Sequence, residues 1–409
     1  MIVGILKEGF SSGRRKLDAA LIWAEIDLEA IATNIRTLRS LTAEGTRFMA
    51  VVKADAYGHG AVAVARQALA AGADWLAVAR VHEGVALRRA GIGAPILVFG
   101  YTPPASAADL LAHDLAATVY DFDTARAYSR VAVTTDRNLR LHLKVDTGMG
   151  RLGMMPELRG FSATGKAVSG NPVFVADAIA HLPGIELEGV YTHFAAADHA
   201  DQGFALAQLE RFTDFLDHLY YAGLDIPLRH AANSAATISL PDAHLDMVRC
   251  GIAIYGLYPS AAVGSARVAL TPAMALKCRI VQVKAVEAGF PVSYGMTHVT
   301  EAATVIATVA AGYADGLSRR LSNAGEMLVG GRRVPIVGRI CMDLTMLDTG
   351  GVPEAQVGDE AVIFGAQGEG MITVDEVAAR LGTINYEVVT GVAARVPRVY
   401  LQKAAEPQG

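Results

Sequence analysis

The chain has 409 residues, of which 52% are hydrophobic and 19% are charged. This length and composition exclude a disordered chain and predict two or three globular domains with a sizeable core. The net charge of −5 gives no support for nucleic acid as a partner.

The number and spacing of the cysteines and the lengths of the apolar stretches indicate the cellular compartment. Cys250, Cys278 and Cys341 are far apart and odd in number, so we expect no disulfide framework, and none has the spacing of a metal ligand. The apolar stretch of the N-terminal segment MIVGILKEGF is too short for a signal peptide and contains a lysine. No apolar run in the sequence reaches membrane-spanning length. We therefore expect a cytoplasmic protein with no membrane partner and no metal.

From residue 23 to about residue 259, short apolar runs alternate with amphipathic stretches, as in repeated βα units. Helices are predicted at 61–71, 81–90 and 202–222. Eight candidate strands can be counted, at 48–52, 75–79, 96–99, 117–120, 141–145, 189–193, 228–232 and 247–254. Eight strands that alternate with helices predict an α/β fold with a closed (β/α)8 barrel of the TIM type.

Polar, chemically capable side chains recur at the C-terminal ends of these predicted strands. They are Lys53, Lys144 with Arg151 just beyond it, His193, Asn233 with Ser234, and Arg249. The active site of a (β/α)8 barrel lies at that end. The spacing alone therefore indicates a barrel enzyme.

After about residue 261 the pattern changes to period-two alternation, at 275–283, 304–310, 327–336 and 360–364. Together with Gly-Gly turns this predicts a mostly antiparallel β domain. Thr373 and Glu376 have the spacing of a capping box, which predicts a helix at 375–381. We predict an N-terminal arm at 1–21, a barrel domain at 22–265 and a C-terminal β domain at 266–409.

Lys53 closes an apolar strand and precedes a turn that contains Gly58 and Gly60. Desolvation at a barrel mouth lowers the pKa of a lysine toward that of a usable amine, which can form a Schiff base with an aldehyde cofactor. The alternative is a lysine that only extends from the strand end to solvent. The two glycines favour the first interpretation because they allow backbone to approach a ligand closely.

The loops after the seventh and eighth strands are the usual phosphate site of this barrel. Ser234, Gly251 and Ile252 lie in those loops, and Asn233 directly precedes Ser234. A phosphate is bound by backbone N–H groups, hydroxyls and helix N-termini. These residues are therefore candidates for a cofactor phosphate, with an ordinary helix N-cap as the alternative for Ser234.

Nine segments, in the same order and spanning most of the chain, carry a family resemblance. They are VVKADAYGHG, LKVDTGMGRLG, YTHFAAAD, ANSAA, VRCGIAIYGL, VSYGM, GYADG, GRICMD and INYE. Together they resemble the alanine racemases, a family of enzymes that use pyridoxal 5′-phosphate (PLP). The resemblance implies an isomerase that interconverts L- and D-alanine, a barrel with a C-terminal β domain, and a homodimer with shared active sites.

The resemblance also implies how the cofactor is held. Lys53 matches the Schiff-base lysine, Tyr57 and Tyr386 match hydroxyls that contact the phosphate, and His193 matches a residue beside the cofactor. Arg249 matches an arginine that hydrogen-bonds the pyridine nitrogen, and because a guanidinium keeps its proton, this contact would suppress transamination. Pairing of Arg249 with Asp246 or another carboxylate, and a core position for His193, are the alternatives.

For catalysis the resemblance implies two bases, one on each face of the substrate α-carbon. Lys53 matches the first, and Tyr294 matches the second, which in the family comes from the partner subunit. A phenol needs a nearby cation to act as a base, and Arg151 and His193 match the residues that supply this setting. Without the motif, Tyr294 would be interpreted as an ordinary strand tyrosine. Lys144 matches a lysine that is often carbamylated, with an ion pair to Asp146 as the alternative.

The remaining matched residues concern the small amino-acid substrate. Arg151 matches a residue that faces the substrate carboxylate, and Met342 matches a residue whose backbone amide meets that carboxylate. Tyr313 matches the residue that forms the entrance gate of the active site. Leu344 and the pair Leu317-Ser318 depart from the common family pattern around the access corridor.

These departures leave substrate selectivity open, so a serine or broad-specificity racemase is an alternative. A noncatalytic PLP-binding barrel and a fold-related decarboxylase are further alternatives, although the former lacks a C-terminal β domain. The family implies that the D-alanine serves peptidoglycan synthesis.

Overall fold

The computed structural model describes residues 20–156, 171–264 and 266–401. The chain divides into two units: Leu28–Pro272 forms one, and Met1–Asp27 joins Ala273–Gly409 in the other. Strand β1, Ile22–Asp27, belongs to the second unit. The predicted barrel boundary at residue 22 thus differs from the observed division, and the predicted boundary after residue 265 precedes the division after Pro272. Most of the predicted arm at 1–21 lies outside the described residues.

The first unit is built on eight parallel strands, and the eight predicted strands are confirmed with shifts of up to four residues at their ends. The strands are β2 (Arg47–Val51), β3 (Trp75–Val78), β4 (Ile96–Val98), β5 (Ala116–Val119), β6 (Leu139–Lys144), β7 (Ile185–Tyr191), β8 (Leu228–His230) and β9 (Met247–Cys250). Neighbours pair in chain order from β2 to β8, and β2 also pairs with β9.

The ends of this ladder meet, so the sheet closes into the predicted barrel. The backbone N–H of Asp246 donates to the carbonyl of Arg229 at 3.1 Å, and that of Arg249 to the carbonyl of Ala232 at 3.0 Å. Every residue of β3, β4, β5 and β9 is buried. Such continuous apolar burial is expected of parallel strands that are covered on both faces.

Helices cover the outside of the barrel. They are α1 (Leu28–Arg39), α2 (Ala61–Ala70), α3 (Val81–Arg89), α4 (Ala107–Ala112), α5 (Phe122–Thr134), α6 (Pro172–Ala180), α7 (Gly203–Tyr221) and α8 (Ser234–Ser239). In α1, Leu28, Ile31, Ile35 and Leu38 are buried, which is one stripe at helical spacing. None of the helices in the described ranges is long and apolar enough to cross a bilayer.

The second unit contains a mostly antiparallel sheet, as predicted. Besides β1, the strands of the second unit are β10 (Met274–Val286), β11 (Pro291–Val292), β12 (His298–Val299), β13 (Thr304–Val309), β14 (Glu326–Val329), β15 (Arg332–Pro335), β16 (Thr345–Asp348), β17 (Glu360–Gln367), β18 (Gly370–Ile372) and β19 (Arg398–Leu401). β11 and β12 pair with each other in a separate two-stranded sheet. The long strand β10 is the centre of the sheet, since β1, β13 and β17 all pair with it antiparallel. β1 pairs in parallel with β19.

A hairpin and a helix of this unit form where local sequence patterns predicted a Gly-Gly turn and a helix. The run at 327–336 is a hairpin of β14 and β15, and Gly330 and Gly331 turn it with φ of +59° and +77°. The predicted helix is α9 (Val374–Leu381), followed by α10 (Asn385–Thr390). Thr373 caps α9 by accepting from the backbone N–H of Glu376 at 3.0 Å, whereas the Glu376 carboxylate pairs with Arg333 and Arg380.

Candidate active site

Lys53 follows the end of β2 at the C-terminal edge of the barrel. Burial lowers the pKa of its amine, and the charge of Arg151 lowers it further, while the Glu83 carboxylate acts in the opposite direction. Desolvation disfavours the ammonium form, because the charge loses the solvation that water provides. The position therefore favours a usable amine over a lysine that merely reaches solvent.

A left-handed turn follows Lys53, and sequence reasoning did not predict it. Ala54, Asp55, Ala56 and Tyr57 all have φ between +52° and +54°. Non-glycine residues rarely adopt this conformation, because the β-carbon crowds the backbone. Strained backbone of this kind persists only where surrounding contacts impose it, and it concentrates at functional sites.

Glu83 in α3 supplies part of that support, and sequence reasoning also missed it. Its Oε1 accepts from the backbone N–H of Ala54 at 2.6 Å. Its Oε2 accepts from the N–H groups of Ala79 and Arg80, at 2.7 and 2.9 Å, at the end of β3. Glu83 thus joins the turn after β2 to the loop after β3. A glutamate in the first turn of a predicted helix is the only signal that would have indicated it.

Lys144 at the end of β6 and His193 after β7 belong to the same cluster of charged and titratable groups as Lys53. The pKa of Lys144 falls to about 8, first through burial and then through the charges of its neighbours Arg151, Arg249 and Lys53, against the opposing charge of Asp146. The pKa of His193 lies well below its ordinary value because of burial and then the charges of Arg249, Arg151, Lys144 and Lys53. His193 is therefore a neutral imidazole beside several cations.

Asp146 serves the loop after β6. Its carboxylate accepts from the backbone N–H groups of Gly148, Gly150 and Arg151, each at 3.0 Å. The Lys144 ammonium lies 5.5 Å from the centroid of the Tyr191 ring. The carboxylate of Asp146 thus orders the loop that carries Arg151.

Arg249 on β9 is almost completely buried, and its pKa falls to about 10 because of that burial. Its Nη2 donates to the carbonyls of Thr192 and Ala231 at 2.8 and 2.9 Å, and its Nη1 donates to His230 Nδ1 at 3.1 Å. Asp246 does not pair with it, because the Asp246 carboxylate is bound to Arg229 with Oδ2 2.6 Å from Nε. The alternative interpretation of Arg249 is therefore wrong.

The loops after β8 and β9 bring hydroxyls and amides together. Asn233 Oδ1 accepts from the N–H of Ala236 at 3.0 Å and caps α8. Ser234 Oγ accepts from the N–H of Gly251 at 2.9 Å. Asn233, and not Ser234, is thus the N-cap, so the alternative for Ser234 is wrong.

The hydroxyl of Tyr57 also reaches this cluster. A β-carbon on Gly251 would lie 2.5 Å from the Tyr57 oxygen, so only glycine leaves the oxygen its place. The Tyr57 ring stacks on Tyr255, with centroids 5.0 Å apart. Ile252 begins the short 3₁₀ turn Ile252–Tyr255 directly after Gly251. We name Tyr57, Ser234, Gly251 and Ile252 the phosphate cradle, because hydroxyls and backbone amides are the groups that bind phosphate.

The other candidate residues lie in the second unit. Tyr294 begins a 3₁₀ turn between β11 and β12 and is 70% exposed. Met342 and Tyr313 are exposed by 53% and 43%. Tyr386 is a half-buried residue of α10. Tyr294 therefore lies on an exposed turn and not in a strand, which differs from its alternative interpretation as an ordinary strand tyrosine.

An ion-pair bridge that was not predicted joins the loops of Tyr313 and Met342. Arg395 Nε donates to Asp315 at 2.7 Å, and Arg395 Nη2 donates to Asp343 at 2.6 Å. The N–H of Tyr313 donates to the carbonyl of Cys341 at 3.1 Å, and the N–H of Ala314 donates to the carbonyl of Met342 at 3.0 Å. The two loops therefore form one connected piece.

The first unit holds a desolvated lysine, a guanidinium, a neutral imidazole and a phosphate cradle at one edge of a parallel barrel. This set fits an aldehyde cofactor with a phosphate and an aromatic nitrogen, and it defines the class of PLP enzymes built on a (β/α)8 barrel. In the described ranges, no group of three or more His, Cys, Asp or Glu side chains could hold a metal ion.

Comparisons with known proteins agree with that class. The family model for the alanine racemase N-terminal domain matches residues 26–259, and the model for the alanine racemase C-terminal domain matches residues 273–400. The chain belongs to the alanine racemase family, and it is an isomerase that depends on PLP.

Individual relatives cover nearly the whole chain. It is 55% identical over 378 residues to an alanine racemase of Desulfosudis oleivorans, covering 92% of this chain and 96% of that protein. It is 47% identical over 380 residues to one of Methanococcus maripaludis, covering 93% and 98%. Among solved structures, alanine racemase of Clostridium difficile 630 has a TM-score of 0.88 at 39% identity, covering 94% of this chain and 97% of that chain.

Proposed function

We propose that the chain interconverts L-alanine and D-alanine, with Lys53 and Tyr294 as its two acid–base groups. The buried amine of Lys53, with its lowered pKa, at the edge of the barrel is the observation that carries this proposal. The relatives named as alanine racemases support alanine as the substrate. When bound, PLP supplies an aldehyde that condenses with amines and a ring that withdraws electrons from the carbon next to the bound nitrogen.

Lys53 would hold the cofactor through its amine and, as a free amine, would exchange a proton with one face of the substrate α-carbon. A base works best when its pKa lies near the working pH, and the burial of Lys53 moves its pKa in that direction. Arg151 would bind the substrate carboxylate, since a guanidinium matches a carboxylate with two parallel hydrogen bonds.

Arg249 would orient the cofactor through its ring nitrogen, and the phosphate cradle with Tyr386 would hold the phosphate. The guanidinium is fixed by two carbonyls and keeps its own proton, because even its lowered pKa is about 10. Such a guanidinium would leave the ring nitrogen largely unprotonated. His193 and Asn233 complete the cofactor site, the first as a neutral imidazole and the second as the cap of α8.

Racemisation also requires a proton at the opposite face of the α-carbon. We infer that Tyr294 supplies it and that it comes from the partner subunit of a homodimer. The side chain stands on an exposed turn of the second unit, where a second subunit can cover it. From the same unit, the Met342 backbone amide would meet the substrate carboxylate, and Tyr313 would form an entrance gate that favours a small substrate side chain.

Lys144 is a further candidate for modification. A lysine reacts with carbon dioxide only as the free amine, and a pKa of about 8 leaves much more free amine than an ordinary lysine has near neutral pH. The carbamate forms as a new N–C bond with loss of a proton, and the resulting anion would be stabilised by Arg151 and Arg249. A ¹³C carbamate signal from protein in labelled bicarbonate, absent in Lys144→Ala, tests this; no signal would contradict it.

Peptidoglycan supply and a cytoplasmic location belong to the same proposal. Cys250, Cys278 and Cys341 are all free thiols, which is compatible with a reducing compartment.

Purified protein with PLP, assayed on alanine, serine and lysine with chiral product analysis, tests the function. We expect conversion of either alanine enantiomer to the racemate at a rate well above that for serine and lysine. Lys53→Ala should lose both the absorbance of the bound cofactor and racemisation, whereas Lys284→Ala, which removes an exposed lysine on β10, should keep both. A Lys53→Ala protein that still racemises alanine would exclude the proposed role.

A further inference from the structure

A chain of buried polar side chains leads from Arg249 through the barrel interior to a carboxylate. Arg249 Nη1 lies 3.1 Å from His230 Nδ1, and His230 Nε2 lies 2.9 Å from His142 Nδ1. His142 Nε2 faces Glu188 Oε2 at 3.5 Å. Both imidazoles are fully buried, whereas the Glu188 side chain is 16% exposed. We name Glu188, His142 and His230 the histidine relay.

The contacts determine which nitrogen of each imidazole carries the proton. A guanidinium can only donate, so His230 Nδ1 accepts and the His230 proton lies on Nε2. That proton is donated to His142 Nδ1, which places the His142 proton on Nε2. The remaining donor faces Glu188 Oε2 at 3.5 Å, which is an ion-pair distance, and neither of these two atoms has a hydrogen-bond partner among the described residues. Every donor in the histidine relay therefore points from Arg249 toward the carboxylate.

The fold makes room for this arrangement in a specific way. A β-carbon on Gly189 would lie 2.3 Å from His142 Nδ1, so a glycine next to Glu188 is required for the two imidazoles to meet. Tyr191 stacks on His230 with ring centroids 4.8 Å apart, and the Trp75 ring packs edge-on against His142 at 5.4 Å. Aromatic rings on both imidazoles fix their orientation and exclude water.

Charge along the chain is consistent with neutral imidazoles and an ionised Glu188. Burial, followed by the charge of Arg249, lowers the pKa of His230 well below its ordinary value, and burial also lowers the pKa of His142. Burial of Glu188 raises its pKa, but its contact with His142 and the charges of Arg140 and Arg47 outweigh it, so the net pKa is lowered. Arg140 Nη1 lies 3.7 Å from the Glu188 carboxylate.

We propose that Glu188, His142 and His230 are positioning residues that act through Arg249 and keep its proton on the guanidinium instead of sharing it with the cofactor ring nitrogen. An anion at the far end makes each imidazole a stronger acceptor toward its neighbour, because hydrogen bonds in a chain polarise one another. The guanidinium thus donates to a strengthened acceptor and becomes less acidic toward the ring. Removal of the distant carboxylate should make it more acidic and favour transamination. This role rests on the proposed contact of Arg249 with the cofactor.

The first test is independent of activity. ¹⁵N NMR of histidine-labelled full-length protein at neutral pH, without and with PLP, reports which ring nitrogen is protonated, and His142→Gln and His230→Gln assign the signals. We expect both residues to be neutral with the proton on Nε2 in both forms. A charged imidazole, or a proton on Nδ1 of either ring, would overturn the relay.

The second test removes the carboxylate at the end of the chain. In Glu188→Gln holoenzyme, the number of transamination events per racemisation of alanine should rise about threefold or more, since changes along such networks alter coupling by that order. Glu186→Gln is the matched control, because it removes an exposed carboxylate two positions earlier on β7. It should leave the ratio unchanged. A thermal unfolding midpoint for each variant separates loss of fold from loss of the relay.

The outcomes distinguish this inference from the proposed function. If wild-type protein racemises alanine, and Arg249→Glu alters the ratio while Glu188→Gln does not, the relay is excluded and the function stands. If wild-type protein does not racemise alanine, the proposed function fails, and the NMR result alone decides whether the two imidazoles form the directed chain.

Discussion

At the scale of single residues, the phosphate cradle depends on the absence of a side chain at Gly251. Gly251 has no β-carbon, and the Tyr57 oxygen occupies the space that one would need. Ser234 Oγ holds the Gly251 amide from the other side. The conformation of the loop after β9 and the position of the Tyr57 ring are therefore coupled, although the two residues come from opposite ends of the barrel sequence.

This coupling predicts the behaviour of Gly251→Ala. The new methyl group would lie 2.5 Å from the Tyr57 oxygen, so the ring or the loop must shift, at a cost of about 1–3 kcal/mol typical of overpacking. PLP affinity, measured by absorbance titration, should fall by about tenfold or more. The double variant Gly251→Ala/Tyr57→Phe removes the clashing oxygen and should recover part of the loss. A single variant with unchanged affinity would show that the cradle does not bind the phosphate.

At the scale of elements, the turn Lys53–Tyr57 shows how strain is supported from a neighbouring βα unit. Glu83 accepts three backbone hydrogen bonds, one from the turn after β2 and two from the loop after β3. Asp55 Oδ1 adds one more by accepting from the N–H of Ala61, at the start of α2, at 2.7 Å. The left-handed backbone is thus held at both ends, and it directs the chain from Lys53 to Tyr57.

Glu83→Ala should therefore loosen the turn. Three amides would lose their acceptor, which predicts a loss of about 1–3 kcal/mol in the free energy of unfolding and a weaker binding of PLP. Urea unfolding and PLP titration measure the two effects. His82→Ala changes the exposed neighbour on the same helix and should alter neither quantity. Equal stability of the Glu83→Ala and His82→Ala proteins would contradict the supporting role of Glu83.

At the scale of the whole molecule, the proposed sharing of active sites in a homodimer predicts complementation between two inactive chains. Lys53→Ala keeps Tyr294, and Tyr294→Phe keeps Lys53, so a mixed dimer would contain one complete site. Equal amounts, refolded together, should recover about one quarter of wild-type racemisation, because half of the randomly formed dimers are mixed and each has one of two sites intact. Activity equal to the sum of the separate variants would mean that one chain supplies both groups.

The buried histidines predict acid lability of the whole molecule. The folded-state pKa values of His142, His193 and His230 are all lowered by burial. The unfolded chain therefore binds more protons below its histidine pKa of about 6.5, and stability falls as the pH falls, by up to about 1.4 kcal/mol per histidine per pH unit. The lowered carboxyl pKa values of Asp146 and Asp246 act only at lower pH.

Urea unfolding of the protein between pH 7 and pH 5 measures this effect. The midpoint should fall steadily through the histidine range before any loss from the carboxylates. A midpoint that stays constant over this interval would show that the three imidazoles are charged, or exposed, in the folded state.

Much of this architecture was predictable from the sequence, because its signals are local. Apolar runs bounded by turn residues identified all eight barrel strands, and Thr373 was identified as the cap of α9 from spacing alone. The candidate residues at strand ends followed from the rule that parallel strands point their C-terminal ends to one edge. Their catalytic roles remain proposals.

Other features depend on residues that are distant in the sequence, and only the tertiary structure decided them. β1 pairs with β10 and β19 and not with the barrel strand that follows it, since a closed barrel leaves no free edge for a further strand. His142 and His230 are 88 positions apart in the sequence but lie within hydrogen-bond distance of each other. Asp246 pairs with Arg229 and not with Arg249. Such pairings depend on register and distance between elements, which no local pattern of residues encodes.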